Sequence, residues 1–235
     1  MKVGIIAAME EELSLLLDNL KNTATVTFGQ FTYHTGFING VEVALFQSGI
    51  GKVNAAVGTT LLLDKFMPDC LINTGVAGGL TDEVHVGDVV VSSEVCHYDA
   101  DATAFEYKIG QVPQMPEAYK ADGLLSILAQ RAGKVCSEIA IHHGSILSGD
   151  SFICTSQQIE YLEKNFPGAM AVEMEGAAVA QTTFLFNVPF VLIRSISDKV
   201  REKGNTVTYA KCMEKAAENS SKIVVSIINE LLNLK

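Results

Sequence analysis

The feature that most constrains the fold of this chain is a set of short apolar runs that each end in polar residues. Residues 190–193 form one such run, and its continuous apolar character predicts a strand buried on both faces. In open α/β sheets, ligands bind at the carboxyl ends of such strands. A polar cluster follows this run directly and consists of Arg194, Ser195, Ser197 and Asp198. The sequence therefore predicts an α/β protein with binding groups at this edge of the sheet.

Acidic residues follow two further apolar runs. Considered alone, Asp198 is better interpreted as a cap of the next helix. However, Glu10, Glu11 and Glu12 follow the first apolar run, and Glu173 with Glu175 follows a later one. Successive helical residues turn by about 100°, so at most one of the first three can face a cleft, and the helix dipole accounts for the others. Three acidic strand ends on one sheet predict a functional site.

Strand and helix patterns alternate along the chain without a linker, repeat or low-complexity segment. This alternation predicts a single α/β domain over residues 1–235 with a mixed central sheet. Further strands are predicted at residues 2–8, 23–28, 31–38, 41–47, 69–74, 87–95, 139–148 and 170–174. Helices are predicted at residues 10–20, from the Gly49 and Gly51 turn to about 66, and at 119–131, 157–165, 175–186 and 206–234. The last helix has an apolar stripe made of Ile223, Ile227, Leu231 and Leu234.

Composition excludes several classes of partner. The net charge of −10 argues against binding to nucleic acid or to an anionic membrane surface. No apolar run approaches the roughly 18 to 20 residues that a membrane span needs. The five Cys and five His show neither disulfide nor zinc spacing, which predicts no metal site. We therefore expect a soluble protein of the cytoplasm, which is a reducing compartment.

Convergence of the acidic residues would suit cleavage of a glycosidic bond. One carboxylic acid protonates the leaving group, a second carboxylate activates water, and negative charge stabilises an oxocarbenium-like sugar. Burial and crowding would raise the pKa of at least one carboxyl and so supply the acid. The candidates are Glu12, Glu175 and Asp198. The alternative from pattern alone is a cluster of carboxylates at a dimer interface or at helix caps.

Seven motifs spread over nearly the whole chain resemble one known family. They are G-I-I-A-A-M-E-E-E at 4–12, S-G-I-G-K-V-N-A-A at 48–56, I-N-T-G-V-A-G-G at 72–79, D-A-D-A-T-A-F at 99–105, S-G-D-S-F-I at 148–153, A-V-E-M-E-G at 171–176 and R-S-I-S-D at 194–198. Together they resemble the bacterial 5′-methylthioadenosine/S-adenosylhomocysteine nucleosidases of the nucleoside phosphorylase superfamily. The resemblance implies a single-domain, three-layer α/β sandwich around a mixed, barrel-like sheet, and a homodimer. It also implies hydrolysis of both nucleosides, and of 5′-deoxyadenosine, to adenine and the sugar, without metal or cofactor.

The resemblance also implies roles for individual residues. Asp198 matches the general acid that protonates adenine N7, and Ser197 matches the residue that orients it. Glu12 matches the base that takes a proton from water. Glu175 matches the carboxylate that holds the ribose hydroxyls, and Arg194 would hold the water and offset Glu12, or would only pair with Glu173 or Glu175. The remaining matches are Met174 beneath the ribose, Phe152 on the purine, the Ile153 backbone at the adenine edge, Met9, Ile50 and Tyr209 around the sugar and thioether, and the segment Val76, Ala77 and Gly78. The partner subunit would add loop residues that match Ala102, Phe105, Tyr107 and Pro113.

Two departures from the family pattern leave alternatives open. Val76 stands where the family usually has a Ser whose hydroxyl positions the water, so we expect weaker hydrolysis. The segment after Asp198 is about one residue longer than usual, which leaves the placement of Tyr209 open. The alternatives are a phosphorolytic nucleoside phosphorylase and a nucleoside-binding protein with little turnover. Glu12 argues against phosphorolysis, because a carboxylate repels a phosphate dianion.

Overall fold

One mixed sheet of ten strands organises residues 1–232, the part of the chain that the computed structural model describes. The strands are β1 Lys2–Ala7, β2 Lys21–Phe28, β3 Phe31–Ile38, β4 Val41–Gln47, β5 Cys70–Gly79, β6 Val89–His97, β7 Tyr119–Lys120, β8 Ile141–Ser148, β9 Ala171–Glu173 and β10 Phe190–Lys199. The α-helices are α1 Glu10–Asn19, α2 Lys52–Phe66, α3 Gly123–Val135, α4 Ser156–Asn165, α5 Gly176–Phe186 and α6 Asn205–Leu232. A short 3₁₀ turn spans Thr103–Phe105.

Part of this sheet closes into a barrel. The strand order β10-β6-β8-β9-β5 is completed by a direct pairing of β10 with β5, which closes a five-strand ring. From β5 the sheet continues outward through β1, β4, β3 and β2, while β7 pairs with β6. Parallel pairs such as β10 with β5 and antiparallel pairs such as β10 with β6 occur in the same sheet. The predicted α/β fold with a mixed, barrel-like sheet is confirmed.

Helices cover both faces of the sheet, because alternate residues of each strand point to opposite sides. In β10, Val191 and Ile193 belong to an apolar cluster with residues of α1, α3 and α6. Phe190 and Leu192 belong to a second cluster with residues of α2 and α5. The predicted burial of this strand on both faces is confirmed, and the helices form the outer layers of the sandwich.

The two strands beside the site are longer than the sequence predicts. We expected β5 to end at Thr74 and β10 to end at Ile193, but both continue through their polar or glycine-rich segments. In the closed ring, β10 pairs with β5 as far as Lys199 opposite Gly79, with an irregularity between Ile196 and Asp198. The pairing of β5 with β10 therefore gives the backbone N–H and C=O groups of these segments their hydrogen-bond partners, and both segments stay extended.

Two helix boundaries also differ from the predictions. The sequence predicts one helix over residues 119–131, but Tyr119 and Lys120 form β7, and α3 starts after Asp122. The Asp122 carboxylate accepts a hydrogen bond from the Leu125 N–H at 2.9 Å, which is the contact of a helix N-cap. The stripe of α6 is buried at its described positions, Ile223, Ile227 and Leu231. Leu234, its fourth predicted member, lies outside the described residues.

Candidate active site

The three candidate carboxyl groups line a single cavity at one edge of the sheet. Glu12 comes from α1, Glu175 from the turn between β9 and α5, and Asp198 from β10. The cavity is lined by Ala8, Met9, Glu12, Ile50, Val76, Ala77, Gly78, Phe152, Val172, Glu173, Met174, Glu175, Ser197, Asp198 and Tyr209. A larger surface depression of about 760 Å³ contains none of the three carboxyls. We place the candidate site in the cavity where the carboxyl groups converge, because the larger depression lacks the acidic groups that the reaction would need.

Glu12 is held by three backbone N–H groups. Its Oε2 accepts from Ala8 at 2.7 Å and Met9 at 3.0 Å, and its Oε1 accepts from Val76 at 3.0 Å. The first two bonds arise because Met9 is extended and α1 begins immediately after it, so that the side chain folds back over the helix start. Glu10 and Glu11 are exposed, as expected if only one of the three faces the cleft. Burial raises the pKa of Glu12, while Arg194 and the three N–H groups oppose that rise.

Glu175 and Glu173 differ in their surroundings although both are buried. Glu175 Oε1 accepts the Gly51 N–H at 2.7 Å, a contact from the loop before α2. Burial, with the nearby Glu173 carboxylate, raises the pKa of Glu175 to about 8. Glu173 instead accepts from the Ser148 hydroxyl and from the N–H groups of Glu175 and Gly176. Glu175 is therefore the carboxyl that burial favours in its neutral form when the cavity holds no cation.

Arg194 lies fully buried between these carboxylates. Its Nη2 donates to Glu173 Oε2 at 2.7 Å and to Asn73 Oδ1 at 2.6 Å, whereas Nη1 and Nε find no partner among the described residues. A Cβ on Gly75 would lie 3.1 Å from Nη1 and 2.6 Å from Glu12 Oε1, so both groups approach the same glycine. Of the predicted pairings, that with Glu173 is observed. Nη1, on the Glu12 side, remains free to hold a water molecule, and this other proposed role of Arg194 stays a prediction.

Asp198 is buried inside β10 and is not a helix cap. Its Oδ1 accepts from the Ser197 hydroxyl at 2.8 Å, and its Oδ2 accepts from the Asn205 side chain at 2.9 Å. Burial raises the pKa of Asp198, and these two hydrogen bonds oppose the rise. A carboxyl whose pKa is raised retains its proton closer to neutral pH, which is the property that a general acid requires.

Aromatic and apolar side chains form the rest of the cavity wall. The rings of Phe152 and Tyr209 meet edge to face with centroids 5.5 Å apart, and the Tyr209 hydroxyl lies 3.4 Å from Met9 Sδ. Tyr209 therefore reaches the cavity despite the longer segment before it. Ile153 does not line this cavity but lines a smaller one beside it, together with Phe152 and Asp198.

The predicted partner-loop residues lie outside both cavities of their own chain. Ala102 and Tyr107 are partly exposed, Pro113 is exposed, and Phe105 is 77% exposed. Such exposure of a large aromatic side chain fits a surface that contacts another molecule. The homodimer itself stays a prediction.

Several residues that shape the site were not predicted from the sequence. Asn73 holds Arg194, Gly51 holds Glu175, and Asn205 holds Asp198. Gly51 has a positive φ of 96°, so the G-I-G motif was a usable signal for that contact. Asn205 carries no such signal, because its contact with Asp198 depends on where α6 begins.

Within residues 1–232, no cluster of three or more His, Cys, Asp and Glu side chains is arranged to hold a metal ion. None of the helices in that range is both long and apolar enough to cross a membrane.

Comparison with known proteins identifies the superfamily to which this barrel and its carboxylate-lined cavity belong. The family model described as "Phosphorylase superfamily" matches residues 2–229, so the chain belongs to that superfamily. A protein of Maridesulfovibrio salexigens named 5′-methylthioadenosine/S-adenosylhomocysteine nucleosidase is 66% identical, with 98% of this chain and all of that protein aligned. A protein of the same name from Desulfotalea psychrophila is 58% identical over 98% of both chains. The chain thus belongs, within the superfamily, to the family of these nucleosidases.

Solved structures of the same family have the same fold. The nucleosidase of Neisseria meningitidis in complex with methylthio-immucillin-A is 42% identical, with a TM-score of 0.95 over 97% of this chain and 99% of that one. The nucleosidase of Colwellia psychrerythraea in complex with adenine is also 42% identical, with a TM-score of 0.96 over 98% of this chain and 96% of that one. The resemblance found in the sequence motifs is therefore confirmed over nearly the whole chain.

Proposed function

We propose that this protein hydrolyses the N-ribosidic bond of 5′-methylthioadenosine and S-adenosylhomocysteine, and of 5′-deoxyadenosine, to give adenine and the corresponding sugar. The observation that carries the proposal is the convergence of Glu12, Glu175 and Asp198 on one cavity. The names of relatives up to 66% identical support the choice of substrates.

Departure of the purine is the first step. As the bond between purine N9 and sugar C1′ breaks, its electron pair moves into the purine, and Asp198 donates its proton to N7. The raised pKa of Asp198 provides the protonated acid, and Ser197 fixes one carboxyl oxygen. Phe152 supplies an aromatic face against which the purine can stack. The neutral purine is then a much better leaving group than its anion.

Attack by water is the second step. The water oxygen bonds to C1′ while Glu12 takes one of its protons, so Glu12 must be ionised. Three backbone N–H groups and Arg194 stabilise that ionised form against burial. The free Nη1 of Arg194 is available to hold the water beside Glu12. Glu175 would bind the ribose hydroxyls and stabilise the positive charge that develops on the sugar.

Water is favoured over phosphate as the nucleophile because the cavity is lined by carboxylates. Glu12, Glu173, Glu175 and Asp198 all line it, while the buried Arg194 is already paired with Glu173. A phosphate dianion entering this cavity as the nucleophile would meet the negative charge of the ionised Glu12 at short range.

Measurement of adenine release tests the proposed reaction against its alternatives. The purified protein is mixed with 5′-methylthioadenosine in the presence and in the absence of phosphate. Release that does not depend on phosphate is the expected result. Release only with phosphate would establish phosphorolysis instead, and tight binding without release would establish a nucleoside-binding protein.

We also propose that the protein acts as a homodimer in the cytoplasm. The exposure of Phe105 and the 53% exposure of Ile50, at the mouth of the cavity, support a partner loop that closes the site. The five cysteines are all unpaired, which suits a reducing compartment. Analytical ultracentrifugation tests the assembly, and a fully active monomer would contradict it.

A further inference from the structure

Asn205, the first residue of α6, connects two separate parts of the candidate site. Its side-chain Nδ2 donates to Asp198 Oδ2 at 2.9 Å and to the Ile153 carbonyl at 2.9 Å. The residue is 3% exposed, and it lines neither the main cavity nor the smaller one beside it. Asn205 therefore lies behind the acid rather than in the space that a substrate would fill.

The chemistry of a primary amide matches these two acceptors. An Asn side chain has two N–H donors, and burying them unpaired would be costly. Here both donors are used, and both acceptors belong to the site. Ser197 already fixes Oδ1 of Asp198 from the other side. With one donor on each oxygen, the carboxyl group cannot rotate about its Cβ–Cγ bond without losing a hydrogen bond.

We infer that Asn205 is a positioning residue for the reaction, which fixes the plane of the Asp198 carboxyl and ties it to the Ile153 backbone. The inference rests on the proposed function, in which Asp198 protonates purine N7, and on the role at the adenine edge that the resemblance implies for the Ile153 backbone. Because both groups hydrogen-bond one amide, the acid and the purine-binding edge keep a fixed separation. A misplaced carboxyl would lower the rate of the chemical step more than it would weaken substrate binding.

The contact also affects the charge state of the acid. An N–H donor favours the ionised carboxylate, so Asn205 lowers the pKa of Asp198 against the larger effect of burial. The other charged groups that face Asp198 are Glu202, before α6, and Glu12, Glu173 and Glu175 across the cavity. These are carboxylates, which act in the opposite direction to the amide.

Two variants and a matched control test the inference. Asn205→Ala removes the amide, and Asn205→Asp keeps its size while replacing the donor with an acceptor. Asn219→Ala is the control, because Asn219 lies on the same helix and its Nδ2 also donates to a backbone carbonyl, that of Gly87 at 2.9 Å. For each protein, kcat and KM for 5′-methylthioadenosine are measured across pH, together with the melting temperature.

In both Asn205 variants we expect kcat to fall about tenfold or more while KM changes less than about threefold. Activity is lost as pH rises through the pKa of Asp198, since the acid must be protonated. Removing a donor raises that pKa, so the alkaline limb of the pH–rate profile should move up by about one pH unit. Asn219→Ala should keep the wild-type kcat and alkaline limb.

An unshifted alkaline limb with a wild-type kcat in Asn205→Asp would overturn the inference, even if Asn205→Ala is too unstable to assay. The inference is also overturned if the Asn205 variants have the same kcat and the same alkaline limb as Asn219→Ala. A wild-type protein that releases no adenine would instead overturn the proposed function, so the two failures are distinguishable.

Discussion

At the scale of single residues, backbone contacts decide which acidic side chains act together. Glu10, Glu11 and Glu12 are chemically alike, yet only Glu12 is buried, because its carboxylate takes the free N–H groups of the helix start. Asp198 is surrounded differently: one hydroxyl and one amide donate to it. Burial raises both pKa values, but more groups oppose the rise at Glu12 than at Asp198, which fits the proposed roles of Glu12 as base and Asp198 as acid.

Replacing Asp198 with Asn tests the assignment of the acid. Asn has nearly the same shape but cannot donate an acidic proton, so nearly all turnover should be lost. Nucleoside binding should stay within about tenfold, or ~1.4 kcal/mol. Isothermal titration with substrate and an adenine-release assay measure the two effects, and Asp99→Asn, outside the cavity, serves as control. Normal turnover in Asp198→Asn would refute the assignment.

Val76 provides a second test at this scale. Its N–H donates to Glu12 regardless of the side chain, while the side chain packs with Ala216 and Ala217 of α6. Val76→Ser should raise kcat several-fold if a hydroxyl helps to position water, and should lower the free energy of unfolding by about 1–2 kcal/mol. Val76→Thr adds the hydroxyl at constant size. If neither variant is faster, the missing hydroxyl does not limit the rate.

The raised pKa of Glu175 predicts how stability depends on pH. The unfolded state releases this proton near the ordinary value of 4.5, whereas the folded state keeps it up to about 8. Between those values the folded state binds more protons, so stability falls as pH rises. Glu175→Gln should flatten this fall by a few degrees in Tm, on the order expected for a domain of this size. Exposed Glu11→Gln should retain the wild-type slope, and identical slopes in all three proteins would contradict the prediction.

At the scale of elements, β5 and β10 carry the site because they continue past the point where their apolar runs end. Gly78 lets them do so: a Cβ there would lie 2.8 Å from Val200 Cγ1, in a stiff β-branched side chain. The glycines of this segment therefore serve close packing inside a strand rather than a turn. Sequence patterns cannot show this, because a glycine-rich segment after an apolar run looks the same in both cases.

Gly78→Ala tests this close approach. The added methyl should push β5 away from Val200, cost about 1–3 kcal/mol of folding free energy and lower kcat by displacing Asp198. Urea unfolding and the adenine assay measure both effects. Gly123→Ala is the matched control, since a Cβ at that position meets no atom within 4 Å. Equal free energies of unfolding for the two variants would show that a methyl group fits between Gly78 and Val200 without displacing β5.

At the scale of the whole molecule, the candidate partner loop gives a test of assembly. Phe105 lies on an exposed 3₁₀ turn and lines neither of the two cavities of the candidate site in its own chain. If it closes the partner's site, Phe105→Ala should raise KM about tenfold while leaving Tm nearly unchanged. Phe37→Ala, an exposed Phe on β3, is the control and should leave KM unchanged. An unchanged KM in Phe105→Ala would count against a shared pocket.

The sequence by itself determined the class of fold, the acidic strand ends and the family, because apolar periodicity and local motifs depend on neighbouring residues. Most strand and helix positions followed from the same local signals. Only the tertiary structure decided that β10 returns to pair with β5, that Glu173 takes Arg194, and that Asn205 reaches Asp198. The first two contacts join residues apart in the chain that meet because the barrel closes, whereas the contact of Asn205 with Asp198 depends on where α6 begins.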